Sequence, residues 1–133
     1  MQILKDIYLV AGAGYGTLGN VFAIKYESGV VLIDCAPKEN SSVIEDNLKY
    51  WGLSSLPITH VLLTHAHWDH CGNAAYFQQK GAAIVCAKGD DESLARGGFC
   101  DNYPFPAYYY PPCKADKVID ADRSLDIAGL DIM

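Results

Sequence analysis

An apolar run, Val61-Leu62-Leu63, leads straight into Thr64-His65-Ala66-His67-Trp68-Asp69-His70-Cys71-Gly72, and no other stretch restricts the chain as much. Three of the four histidines and one carboxylate fall within six consecutive residues. Imidazole nitrogen and carboxylate oxygen are donors that zinc accepts, as do iron and manganese where more oxygen ligands join. On extended backbone, residues two apart point to one side. His65, His67 and Asp69 are therefore expected to converge, with His70 turning off as the chain changes direction. A fold that accepts this stretch has to deliver it from a strand into a turn and a helix.

The flanking sequence supplies such elements. Ile7-Tyr8-Leu9-Val10-Ala11-Gly12-Ala13-Gly14 is too short to span a bilayer and follows Lys5-Asp6, so it reads as a first strand. Gly12, Gly14 and Gly16 break it, and without a helix opening directly behind them they read as a flexible turn on a cleft rim rather than a nucleotide loop. Asn20–Tyr26 and Val30–Asp34 form a hairpin across Glu27-Ser28-Gly29, the second strand apolar enough to be buried on both faces. Ser41–Trp51 has helical periodicity, with Ser41 or Ser42 as cap, Glu45 completing a capping box and Gly52 as stop. Ile58–Leu63 is the strand that carries the histidine cluster, and His60 on it reads as a surface or packing residue.

Beyond the cluster, Asn73–Lys80 reads as a helix and Ala82–Ala87 as a buried strand. Asp90–Arg96 is a helix whose acids lead and whose base closes, matching its dipole. Asp116–Asp120, Arg123–Ile127 and Gly129–Met133 read as short strands. Strands alternating with helices point to one α/β domain over residues 1–133.

Charge and cysteine usage narrow the partners. A net charge of −6 argues against a nucleic-acid groove, which needs clustered Lys and Arg. Five cysteines, an odd number without Cys-x-x-Cys, read as reduced thiols of a cytoplasmic protein and not as a zinc ribbon. Cys71, next to the cluster, is either a further ligand or a small packing residue. Tyr103–Pro112 holds four prolines and five aromatics, which rules out regular helix or central strand. It is either a wall or lid with Tyr108, Tyr109 and Tyr110 lining a small-molecule pocket, or an irregular loop packed on its own body or a partner.

His-x-His-x-Asp-His after an apolar strand resembles the metallo-β-lactamase-fold superfamily. That resemblance implies half of an αββα sandwich: one mainly antiparallel or mixed sheet with helices on one face. It implies that His65 and His67 bind one metal ion and that Asp69 and His70 bind a second, zinc in the first instance, with iron or manganese as alternatives. Asp34, ending a buried strand, is similar to an aspartate that lies behind such a site and orients a ligand. Cys35-Ala36-Pro37 after it departs from the commoner Thr-Gly. Asp69 would also orient water or pass a proton to the leaving group.

The implied activity is hydrolysis of a carbonyl compound by metal-bound hydroxide, and the motif with Gly72-Asn73 looks most like glyoxalase II-type thioester hydrolases. Lactonases and β-lactamases share nearly the same motif. No histidine follows His70, whereas relatives carry further ligands downstream. The expectation is therefore the amino-terminal half of a longer hydrolase, with a homodimer or a missing carboxy-terminal half completing the sandwich. The competing reading is a metal-binding or interaction module without turnover.

Overall fold

The computed structural model describes residues 1–98, 108–121, 125–127 and 129–132. Cys100, Tyr103–Ala107, Arg123, Ser124 and Met133, to which the sequence reading assigned thiol, loop or strand roles, lie outside the described residues.

Seven strands form one mixed sheet in sequence order. β1 (Gln2–Leu4), β2 (Ile7–Ala11), β3 (Val21–Tyr26) and β4 (Gly29–Ile33) are an antiparallel meander. β5 (Ile58–Leu62), β6 (Ala83–Ala87) and β7 (Lys117–Ile119) then add in parallel beside β4. Parallel neighbours need long crossovers, and the helices supply them: α1 (Ser41–Tyr50) between β4 and β5, α2 (Trp68–Cys71) and α3 (Ala74–Gln79) between β5 and β6, and α4 (Asp90–Arg96) after β6.

The period-2 alternation of the central strands divides the apolar residues between two cores. Val30, Leu32, Val61 and Ile84 pack with Ile44 and Leu48 of α1, Ala74 and Phe77 of α3 and Leu94 of α4. Val31, Leu62 and Val85 face the other way and meet Leu125 and Ile127. Those two belong to a separate antiparallel pair, β8 (Leu125–Ile127) and β9 (Leu130–Ile132), which begins a second layer. The helices thus share one face, as anticipated, and the opposite face already carries the start of a facing sheet.

Several local expectations change. β1 was missed because all three of its residues are exposed and carry no burial pattern. Asn40, not a serine, precedes α1 and makes no side-chain cap; Glu45 Oε1 instead accepts from the Tyr76 hydroxyl at 2.9 Å and pairs with Lys80. The glycine-rich turn is not loose: Ala13–Tyr15 form a 3₁₀ turn, and Thr17 Oγ1 accepts the Gly12 N–H at 2.7 Å.

Candidate metal centre

The carboxyl ends of three adjacent parallel strands supply the residues around the histidines, the usual place for a site in an open α/β sheet. β4 runs into Asp34, β5 into Thr64 and the histidine cluster, β6 into Asp90. Asp34 is buried and takes φ 61°, a left-handed conformation uncommon for a residue with a side chain. Ala36 does the same at φ 59°. This turn aims the Asp34 carboxylate at the start of the cluster. Oδ1 accepts the Thr64 N–H at 2.8 Å and Oδ2 the Thr64 hydroxyl at 2.8 Å. Oδ2 also lies 2.8 Å from His70 Nδ1.

The proton positions follow from chemistry. A carboxylate can only accept, so His70 Nδ1 carries a proton, and in the neutral tautomer this leaves the lone pair on Nε2. The single Thr64 hydroxyl proton goes to Asp34, so His65 Nδ1, 3.0 Å from Thr64 Oγ1, donates and also leaves Nε2 free. Burial, then the neighbouring His70 and His67, holds the His65 pKa below its ordinary value, favouring the neutral ring that a metal needs.

The extended alternation predicted for His65, His67 and Asp69 stops short. His67 is extended, at ψ 146°, but α2 begins at Trp68, so Asp69 sits in a helical turn and His70 comes back beside His65. The His65 ring neighbours those of His67 and His70, at centroid distances of 4.7 and 4.2 Å. Asp69 Oδ2 is 3.5 Å from His70 Nε2. The helical turn is what brings the fourth residue in.

The donors fit a divalent ion such as zinc in kind, with two free Nε2 atoms and one nearby carboxylate. They fall short in number: among the described residues, no group of three or more His, Cys, Asp or Glu is gathered so as to hold a metal ion. His65, His67, Asp69 and His70 are neighbours rather than a closed cage.

The other candidates separate clearly. Tyr110 is 5% exposed, and its hydroxyl donates to the Ala66 carbonyl at 2.9 Å, so it backs the cluster. Tyr108 stacks on Trp68 with ring centroids 4.9 Å apart. Tyr109 is exposed, and its carbonyl accepts from Lys38 Nζ at 2.9 Å. Cys71 is fully buried within the helix-side core, and burial pushes its thiol up to about 12, which favours the packing role over ligation. His60 Nδ1 lies 3.1 Å from Thr59 Oγ1, away from the cluster on β5, as a packing role requires. Thr64 and Asp90 are the contributors that sequence reasoning did not assign, and Tyr110, read from sequence as a pocket or loop aromatic, contributes through its bond to the Ala66 carbonyl.

Residues 14–130 match the profile of the Metallo-beta-lactamase superfamily. The chain belongs to that superfamily. A metal-dependent hydrolase of Rhizobium leguminosarum is 31% identical over 71 residues, which are 53% of this chain and 29% of that protein. A subclass B3 metallo-beta-lactamase of Bradyrhizobium japonicum superposes with a TM-score of 0.84 at 26% identity, covering 96% of this chain and 47% of that one. A beta-lactamase of Chitinophaga pinensis gives 0.81 at 27% identity over 95% of this chain and 47% of its own. The metallo-beta-lactamase fold and the half-sandwich expected from the motif are therefore correct, and the chain spans about half the length of these solved structures. Among the described residues of this superfamily member, no helix is long and apolar enough to cross a membrane.

Proposed function

We infer that this chain supplies the first part of a metal-dependent hydrolase site acting on a small carbonyl compound, a thioester of the glyoxalase II type first and a lactone or β-lactam next. The observation that carries this reading is the Asp34 carboxylate 2.8 Å from His70 Nδ1, because engaging Nδ1 leaves Nε2 of the neutral ring as the ligand atom. His65 and His67 would hold one zinc ion, Asp69 and His70 a second, with iron or manganese as the alternatives. When bound, such an ion acidifies water and polarises a carbonyl oxygen. The chain's own residues do the rest: Asp34 and Thr64 orient His65 and His70, and Asp69 stands next to His70 where it can take or pass a proton.

Ligands beyond these four would come from a carboxy-terminal half or from a second copy of the chain. The buried thiols of Cys35, Cys71, Cys86 and Cys113, all unpaired, support a reducing, cytoplasmic setting. The acidic balance supports a small-molecule substrate over nucleic acid. One observation favours a second reading, a metal-binding module without turnover: the described donors are too few to close a site.

Metal content per chain by mass spectrometry, with native mass and hydrolysis assays on the same sample, decides between them. One or two ions per chain with metal-dependent thioester or lactone hydrolysis supports the hydrolase. Bound metal with no turnover of thioester, lactone or β-lactam supports the module. A chain that retains no zinc, iron or manganese overturns the module, and the hydrolase reading falls if metal-dependent hydrolysis is still absent once a carboxy-terminal half is supplied.

A further inference from the structure

Two peptide planes separate His65 from His67, and each is held from a different part of the fold. The first carries the Ala66 N–H, which donates to Asp90 Oδ1 at 2.9 Å. The second carries the Ala66 carbonyl, which accepts from the Tyr110 hydroxyl at 2.9 Å. Ala66 is completely buried, so both of its polar groups would be costly if left unpaired.

Asp90 opens α4 directly beyond β6, the strand next to the one that delivers the cluster. An acid at that position is commonly a helix-dipole residue, but Asp91 and Glu92 share the same first turn. What sets Asp90 apart is its reach across 24 positions to Ala66. Tyr110 is itself fixed: its N–H donates to the Gly97 carbonyl at 3.0 Å, directly after α4. Its hydroxyl also lies 3.3 Å from the Ser93 carbonyl, and the shorter contact is the one to Ala66. α4 and the segment behind it thus grip the backbone between the two histidines on both sides.

We propose that Asp90 and Tyr110 are positioning residues for the His65–His67 pair, locking the two intervening peptide planes so that both imidazoles are presented at a set separation and angle. The observed ring arrangement, 4.7 Å between centroids and 85° between planes, is the geometry they hold. The inference rests on the reading of these histidines as metal ligands. Backbone restraint matters there because it fixes where the two side chains leave the main chain, so that only side-chain rotation is left to follow an ion.

The test uses isotopically labelled full chain as wild type, Asp90→Asn, Asp90→Ala and Tyr110→Phe. Amide exchange at Ala66 and the nuclear Overhauser contacts between the His65 and His67 rings are measured without metal, followed by cobalt(II) titration monitored by visible absorption. Asp90→Ala is expected to speed Ala66 exchange about tenfold or more, weaken the ring contacts and raise the cobalt dissociation constant about tenfold or more. Asp90→Asn, which keeps an acceptor oxygen but loses the charge, restores most of this. Tyr110→Phe shifts the ring contacts and cobalt affinity in the same direction through the other plane.

Unchanged ring contacts in both Asp90→Ala and Tyr110→Phe overturn the inference. So does Asp90→Asn behaving like Asp90→Ala, which would make charge, not acceptance from Ala66, the property that counts. If wild type takes up no cobalt while the ring contacts still follow the substitutions, the ligand reading fails and the positioning role stands.

Discussion

The Asp34 carboxylate lies 2.8 Å from His70 Nδ1 across 36 positions of sequence, and the same oxygen takes the Thr64 hydroxyl at 2.8 Å. One buried acid therefore ties the end of β4 to the start and to the far end of the histidine cluster. Asp34→Ala would strand the Thr64 N–H and the His70 ring. A lost bond to a charged acceptor and an unpaired buried donor together predict a destabilisation of about 2–3 kcal/mol in urea unfolding. Asp34→Asn tests orientation more finely: its oxygen can still accept from Thr64, but its amide then faces His70 as a donor. The His70 tautomer should switch from Nδ1–H to Nε2–H, read from imidazole ¹⁵N shifts. An unchanged tautomer would remove the role given to Asp34.

Backbone crowding around the cluster makes a second prediction. A methyl group at Gly72 would run into the backbone of Lys38 and would stand 2.7 Å from the Trp68 oxygen and 2.8 Å from the Ala36 oxygen. None of these can rotate away, so Gly72→Ala is expected to cost about 3 kcal/mol. Gly19, at φ 69°, abuts the Asp69 carbonyl, so Gly19→Ala adds backbone strain to overlap and should cost at least as much. Gly14 has open space and an ordinary φ, and Gly14→Ala should stay within about 0.5 kcal/mol. Thermal unfolding of the three variants gives the ranking; a Gly72→Ala protein as stable as Gly14→Ala would contradict it.

How much of this could be read from the residues alone depends on how local the information was. The cluster is contiguous and needs only its own spacing, and Asp34 is conspicuous as a charge closing a buried apolar strand. The two-faced burial of Val30 to Leu32 follows directly from a strand with no polar alternation. The roles of Asp90 and Tyr110 were opaque because the first reads locally as a helix-dipole acid and the second as a pocket or loop aromatic, while their contacts with Ala66 span 24 and 44 positions. The helical return of His70 was hidden by an alternation that fits His65 and His67 and then fails at Trp68. Apolar patterning marked Leu125 and Ile127 as strand residues, but only tertiary packing puts them against Leu62 and Val85 as a separate layer.

The cysteines offer a chemical check on the core. Burial pushes the Cys71 thiol up to about 12 and those of Cys86 and Cys113 to about 11. At pH 8 the thiolate of Cys71 would be roughly two thousandfold scarcer than that of a free cysteine, whose pKa is about 8.5. Alkylation of the native protein, mapped by peptide mass, should leave Cys71 unmodified while unfolded protein labels at once. Fast native labelling at Cys71 would mean that α2 does not pack as described, and would reopen its candidacy as a ligand.

The edge of the sheet supplies a prediction about acid. Asp116 Oδ2 accepts the Ile84 N–H at 2.8 Å and an amide hydrogen of Gln78 at 2.9 Å, and these bonds, the backbone one foremost, hold its pKa below the ordinary 3.8. Because both donors favour the charged form, the folded state binds its proton less readily than the unfolded chain does. The resulting stabilisation is fully present above the unfolded value, declines as pH falls below it, and is gone once the folded pKa is passed. Asp116 is exposed, so solvent screening keeps the effect small, under about 1 kcal/mol. In a carboxyl NMR titration the Asp116 midpoint should fall below 3.8, and Asp116→Asn should flatten the loss of stability between about pH 4 and pH 3 without changing its slope near neutrality. A midpoint at or above the ordinary value would mean that the Ile84 bond does not hold β6 to the segment before β7.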